Sequence, residues 1–200
     1  MAPVYSFLMV VSKKICDQLS DLEIIRKSLQ EVDYFSCLYQ RYEDRLMRYV
    51  KRLAAVSNEE AEDILQDAFI KIWKNLNAFD TDLKPSTWIY RIVHNQTISF
   101  WRKKTSYGKD QKVEWDEEKY ADVWSEELQI EDERIDDREQ IWSILTRLPI
   151  KYKEVLVLKF LENMSYEEIS DILKMPEGTV ATRINRAKKS FIRLSKVKSE

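Results

Sequence analysis

Residues 164–191 read MSYEEISDILKMPEGTVATRINRAKKSF, and the fold turns on how this stretch is parsed. Ser165 and Glu168 stand at the spacing of a capping box, in which each satisfies a backbone N–H at a helix start. Ile169, Ile172 and Leu173 then give a short helix one apolar face. Met175-Pro176-Glu177-Gly178 reads as a tight turn, with Pro176 stopping the first helix and Gly178 free to take a positive φ. Thr179 is the expected N-cap of a second helix, with Val180, Ile184 and Ala187 on one side, followed by Phe191 and Leu194. Thr182, Arg183, Arg186 and Lys189 fall on its other faces.

A short helix, a sharp turn and a basic second helix describe a helix-turn-helix, whose second helix enters the major groove of DNA. From Gly178 to Lys198 there are seven bases and no acids. Arg183 and Arg186 reach base edges or phosphates, and the later bases suit phosphates. A charge run alone would imply only a solvated basic face. The cap, the turn and the order of the bases together favour DNA contact.

Outward from this motif the chain is helical in character. Two Gly and four Pro in 200 residues argue against a turn-rich sheet protein, and the abundance of Leu, Ile, Lys, Glu and Arg favours helix. The expected class is all-α: two small helical domains joined by a flexible acidic linker, the second containing the helix-turn-helix. The boundaries are an N-terminal extension over 1–20, a first unit over 21–104, a linker over 105–132 and a second unit over 133–200. The net charge of −2 conceals an asymmetry, because Thr105–Gln140 holds fourteen acids and five bases.

Cys16 and Cys37 are far apart, form no CxxC pair and have one His for company, which speaks against a disulfide scaffold or a zinc site and suits a reducing cytoplasm. The apolar run in MAPVYSFLMVVSKK is too short to span a bilayer and has its lysines on the wrong side for a secretory signal. It reads as a frayed terminus. No membrane insertion is expected.

In the first unit, residues 21–55 read as two helices meeting near Val32-Asp33, and Ser57 or Asn58 can cap the next. On a helical wheel Ala61, Ile64, Leu65, Ala68, Phe69, Ile72 and Leu76 share the core face. Ile70 and Trp73 fall outside it, among Asp63, Gln66, Asp67 and Lys74. An aromatic anchor inside a polar rim has the form of a partner patch, while packing of Trp73 on the preceding helices is the alternative. After the loop NAFDTDLKPS, a helix opens at Pro85-Ser86. Tyr90, His94, Thr97 and Trp101 form a stripe beside Arg91, and no acid occurs between Leu83 and Lys109. Aromatics among bases suit single-stranded DNA, but at helical spacing such a stripe by itself is core. His94, the single histidine, has no nucleophile, second base or metal cluster near it in sequence and reads as a surface or DNA-facing side chain. No phosphate loop, H-E-x-x-H or G-x-S-x-G motif is present, so no catalytic residue, metal or cofactor is expected.

The segments AEDILQDAFIKIWKNLNAFD, STWIYRIVHNQTISFWRKK and LPIKYKEVLVLKFLENMSYEEISDILKMPEGTVATRINRAKKSF, in this order, resemble a bacterial RNA polymerase sigma factor of the extracytoplasmic function (ECF) class. The resemblance covers about 20–104 and about 135–194. It implies that the first unit is region 2, docking on the clamp helices of the polymerase β′ subunit through Asp63, Gln66, Asp67, Ile70 and Trp73. The loop from about Asn77 to Lys84, with Phe79 and Asp80, would capture a flipped base of the −10 element. Trp88, Tyr90, Arg91, Asn95, Trp101 and Arg102 would handle the same promoter strand. The second unit would be region 4, near the β flap, reading the −35 element through Thr179, Thr182, Arg183, Arg186, Lys188 and Lys189. After GTV the family commonly has Lys-Ser-Arg; here Ala181-Thr182-Arg183 removes one phosphate-reaching base. The resemblance further implies core RNA polymerase and promoter DNA as partners, an anti-sigma factor, a monomer when free, a cytoplasmic location and no bond chemistry of its own.

Overall fold

The computed structural model describes residues 11–107 and 135–196, all helix and connecting turn with no strand among them. The first unit comprises α1 (Lys13–Cys16), α2 (Asp21–Ser28), a 3₁₀ turn (Val32–Tyr34), α3 (Phe35–Ala54), α4 (Asn58–Lys74), a second 3₁₀ turn (Leu76–Ala78) and α5 (Pro85–Tyr107). The second comprises α6 (Ile135–Arg147), α7 (Ile150–Leu156), a π turn (Val157–Leu161), α8 (Tyr166–Leu173) and α9 (Glu177–Lys196). The all-α reading holds. Residues 1–10 and nearly all of the expected linker lie outside the described residues.

Local sequence accounts for the helix starts. Ser20, Ser57 and Ser165 each accept from the backbone N–H three residues on, and Glu23, Glu60 and Glu168 reach back in turn, making three capping boxes. Pro85 occupies the first position of α5, where its missing N–H costs nothing. Left-handed residues end α3 at Ala55 and α8 at Lys174.

The helix-turn-helix differs in detail from its expected form. Gly178 does not take a positive φ, and Lys174, at φ 52°, makes the reversal instead. The Pro176 carbonyl accepts from the Thr179 and Val180 N–H groups at 2.8 and 3.1 Å, so α9 starts at Glu177 and Thr179 lies in its first turn rather than capping it.

The first core forms where α3, α4 and α5 pack together. Leu46, Tyr49, Val50, Leu53, Ile72 and Ile89 have no exposed surface, and all seven residues assigned by the wheel to the α4 core face, Leu76 included, are buried. In the second unit the same apolar cluster continues through Val155, Val157, Leu158, Ile169, Val180, Ile184 and Ala187, none of them exposed. It holds α9 against α7 and α8, as a helix-turn-helix requires.

Cys16 and Cys37 form a disulfide, which corrects the expectation of free thiols. Cys37 is the third residue of α3 and Cys16 the last of α1, and sequence spacing cannot show that their helices meet. The extension is therefore not wholly frayed. Val11 N–H donates to Ser36 Oγ at 3.3 Å, and Arg41 donates to the Cys16 and Leu19 carbonyls at 2.6 and 2.7 Å. The bridged cysteines are 21 residues apart, and closing such a loop in the unfolded chain stabilises the fold by roughly 3 kcal/mol. Reduction is expected to lower the unfolding free energy by about that amount with helix content at 25 °C unchanged, measured by denaturant titration with and without reductant; equal midpoints would show that the bridge contributes nothing.

Candidate nucleic-acid and polymerase interface

On α4 the core stripe leaves Asp63, Asp67, Ile70 and Trp73 facing outward and Gln66 half-buried. Ile70 is 37 % and Trp73 39 % exposed, large values for such side chains. The Trp73 ring meets Phe35 edge-on with centroids 5.2 Å apart, so one edge is packed while the rest is open. The expected packing of Trp73 on a preceding helix is thus present at one edge, and the contact fixes the orientation of the exposed indole.

Beside this helix, the C-terminal turn of α4, the following 3₁₀ turn and α5 enclose a cleft of about 340 Å³ lined by Lys71, Asn75, Ala78, Trp88, Ile92, Asn95 and Gln96. Lys71 Nζ donates to Gln96 Oε1 at 2.5 Å across its mouth, and Trp88 meets Phe79 edge-on at 5.2 Å. Trp88 is 6 % exposed, so the amides and lysine make up the accessible polar part of the cleft and can hydrogen-bond the edge of a planar ring. Of the residues expected to face the −10 strand, Trp88 and Asn95 line this cleft and Phe79 supports it. Asn77, Asp80 and Arg102 are exposed, and Arg91 and Trp101 are half-buried. Lys84 reaches across to Glu168 of α8 at 3.0 Å. The cleft residues Lys71 and Asn75 are not among those expected from the sequence, and Ile92 and Gln96, which share a helix face with Ile89, Val93 and Phe100, are not expected from it to face DNA; Lys71 with Asn75 and Ile92 with Gln96 repeat at four-residue spacing on two helices.

Tyr90 and His94 are placed differently from expectation. Tyr90 is fully buried, and its hydroxyl donates to Glu162 at 2.6 Å, so it faces the second unit rather than nucleic acid. His94 is not a surface residue: it is buried, with Nδ1 2.8 Å from the Tyr49 hydroxyl and Nε2 3.6 Å from Glu154. Thr97 is fully buried too. The stripe is core, but the core it serves is partly the contact between the two units.

Burial first, and the charge of Arg102 second, push the His94 imidazole down from 6.5 to about 4. The ring is therefore neutral at pH 7. Tyr49 then donates to Nδ1, leaving Nε2 as the N–H that faces Glu154. The Glu154 carboxyl is itself raised by burial, against the opposing pull of Arg183.

On α9, Thr179, Thr182, Arg186, Lys188 and Lys189 are exposed. Thr182 returns its hydroxyl to the Gly178 carbonyl at 2.9 Å, and Lys188 lies 4.9 Å over the Phe160 ring. Arg183 is not free: it donates to Glu154 Oε1 at 2.7 Å and is half-buried. Among the described residues no group of three or more His, Cys, Asp or Glu could hold a metal, and no helix is long and apolar enough to cross a membrane.

A basic helix-turn-helix on one unit, with an aromatic cleft and an acidic-aromatic helix on the other, defines a two-part helical protein built around nucleic acid. The sequence matches Sigma-70 region 2 over residues 38–107 and Sigma-70 region 4 over 138–191. It is 35 % identical to the ECF RNA polymerase sigma factor SigW of Bacillus subtilis across 84 % of this chain and 95 % of that protein. It is 28 % identical to the ECF RNA polymerase sigma-E factor of Escherichia coli K12 across 90 % and 95 % of the two chains. Solved folds that align with it include the following two. CnrH, in complex with the cytosolic domain of CnrY, gives a TM-score of 0.63 at 20 % identity, covering 87 % of this chain and 96 % of CnrH. The Bartonella quintana sigma factor RpoE, in complex with the anti-sigma factor NepR, gives 0.62 at 21 %, covering 82 % and 97 %. The chain belongs to the ECF RNA polymerase sigma factors, and its role is that family's: a promoter-specificity subunit of RNA polymerase.

Because His94 titrates lower when folded than when unfolded, the unfolded chain binds the extra proton between about pH 6.5 and 4. Its contribution to stability thus falls as the pH is lowered through that window, by up to roughly 3 kcal/mol. The unfolding midpoint is expected to drop more steeply with acid for the wild type than for His94→Gln; parallel curves would contradict the assignment.

Proposed function

We propose that this sigma factor docks on core RNA polymerase through the outward face of α4, with Trp73 and Ile70 as anchors and Asp63, Gln66 and Asp67 as the rim. The exposure of Trp73 on an otherwise well-packed helix is the observation that carries the reading. The cleft between α4 and α5 takes a base unstacked from the −10 element. Trp88 lines the cleft from the core side, Asn75, Asn95 and Gln96 face the base edge, and Asn77, Asp80, Arg91, Trp101 and Arg102 border the strand's path. Unstacking costs a few kcal/mol, offset by capture in the cleft. Helix α9 reads the −35 element through Thr182, Arg183 and Arg186, while Thr179, Lys188 and Lys189 hold phosphates. The units correspond to about 21–104 and 133–200. An anti-sigma protein as a further partner is supported by the likeness to the Bartonella quintana RpoE fold, solved with the anti-sigma factor NepR.

Run-off transcription with purified core polymerase tests this. New discrete start sites are expected with the wild-type protein. The Asp67→Ala/Trp73→Ala variant is expected to lose them, and its affinity for core to fall tenfold or more, the scale of a lost aromatic anchor. Absence of new starts, together with failure to co-elute with core polymerase, would refute the docking and promoter roles.

A further inference from the structure

The first two turns of α3 hold different partners on two faces. Phe35 and Tyr39 turn towards α4: Phe35 meets Phe69 and Trp73 edge-on at 6.2 and 5.2 Å, and Tyr39 meets Phe69 at 4.8 Å. Ser36, Cys37, Gln40 and Arg41 hold the chain that leads into the first unit. Ser36 Oγ accepts from the Val11 N–H at 3.3 Å, and Gln40 Nε2 donates to the Val11 carbonyl at 3.1 Å. Arg41 donates to the Cys16 and Leu19 carbonyls and pairs with Asp21. The Cys16–Cys37 bond is the covalent member of this set. Residues 11–19 thus form a strap across α3, beside the ring that orients Trp73. The helix inside the strap, α1, has four residues, and Lys13, Lys14 and Ile15 on it are exposed. So short a helix near a chain end opens locally at little cost, which brings the Cys16 sulfur, buried at rest, within reach of a small thiol while α3 stays folded. In a reducing compartment, which work on RNA polymerase implies, a protein disulfide is usually transient, either catalytic or redox-sensing.

We propose that Cys16 and Cys37 are a reversible dithiol–disulfide switch that fastens residues 11–19 to α3 and so sets the affinity of the Trp73 face for core polymerase. The effect on affinity rests on the docking role proposed above. The reductant is a small thiol. Its thiolate attacks one sulfur of the bridge, giving a mixed disulfide and one cysteine thiolate, and a second small thiol then displaces the other cysteine. Two electrons pass from the small thiols to the bridge, their two protons end on the cysteines, and one small-molecule disulfide leaves. The reverse exchange closes the bridge, and Cα atoms 5.2 Å apart need no backbone movement for it. With the bond open, the strap keeps only its hydrogen bonds and packing, and it frays as chain ends do. The start of α3 then loses its cover, Phe35 holds Trp73 less firmly, and the docking face is less preorganised.

The test equilibrates the full chain in graded ratios of reduced and oxidised glutathione, alkylates the free thiols and counts them by intact mass. Both forms are expected within the series, approached from either direction; a bridge that stays closed, or stays open, at every ratio overturns the switch. Amide exchange over residues 35–41 is expected to be faster in the reduced chain. Affinity for core polymerase should fall about fivefold on reduction, the scale of lost preorganisation in an otherwise intact site. Cys16→Ala should bind like the reduced chain in either buffer, which separates the switch from any effect of thiol on the polymerase. Equal affinity of oxidised and reduced chains, with Asp67→Ala/Trp73→Ala still weakened, would overturn the coupling and leave the docking reading intact. Unchanged affinity in that double variant would instead refute the docking reading, and the coupling with it. The thiol count is read without polymerase and decides the switch by itself.

Discussion

A carboxylate almost sealed from water must be matched by positive charge and hydrogen-bond donors, or its burial would cost several kcal/mol. Glu162 meets that demand with two arginines and a tyrosine from α3 and α5. Most of what distinguishes this arrangement follows from it. Together with the apolar cluster that runs on from α5 to α7 and α8, the requirement holds the second unit on the first and withdraws Tyr90 from solvent. It also explains the local irregularity of the chain. Where α7 ends, the helix widens into a π turn, with the Glu162 N–H reaching back to the Val157 carbonyl, and Asn163 follows at φ 56°. Such insertions into a helix concentrate at functional sites.

Beside that seam, the two proposed surfaces are built in opposite ways. The α4 patch is presented by a rigid helix whose inner face is fully packed, and Phe35 fixes the angle of the Trp73 ring. It is ready as it stands. The reading helix is equally well seated through Val180, Ile184 and Ala187, but Arg183 is engaged elsewhere. One proposed surface is rigid and open, and the other is rigid in backbone with Arg183 engaged in an ion pair.

The helices, the core face of α4 and the Ser165–Glu168 box were legible because each depends on residues within one or two turns of one another. The Ile70–Trp73 patch was legible for the same reason. What the sequence concealed depends on contacts between distant segments. Periodicity placed Tyr90, His94 and Thr97 on one stripe, but it cannot say whether a stripe meets DNA, solvent or another helix. Glu154 and Glu162 border an apolar run, as surface acids often do, and their partners lie 29 and more residues away. The Cys16–Cys37 pairing needed the docking of α1 on α3. Gly178 drew the left-handed role by residue type, yet the turn reverses four residues earlier at Lys174.

The disulfide has a topological result. By joining Cys16 to Cys37 it turns the intervening chain, with α2 and the 3₁₀ turn, into a covalent ring fastened to the start of α3. A protease that cut once inside that ring, for instance at the exposed Gln30-Glu31 bond, would open the ring without dividing the molecule. The fragments would stay linked until a reductant reached the buried sulfurs, so the integrity of the first unit after a cut becomes a matter of electron supply rather than of sequence.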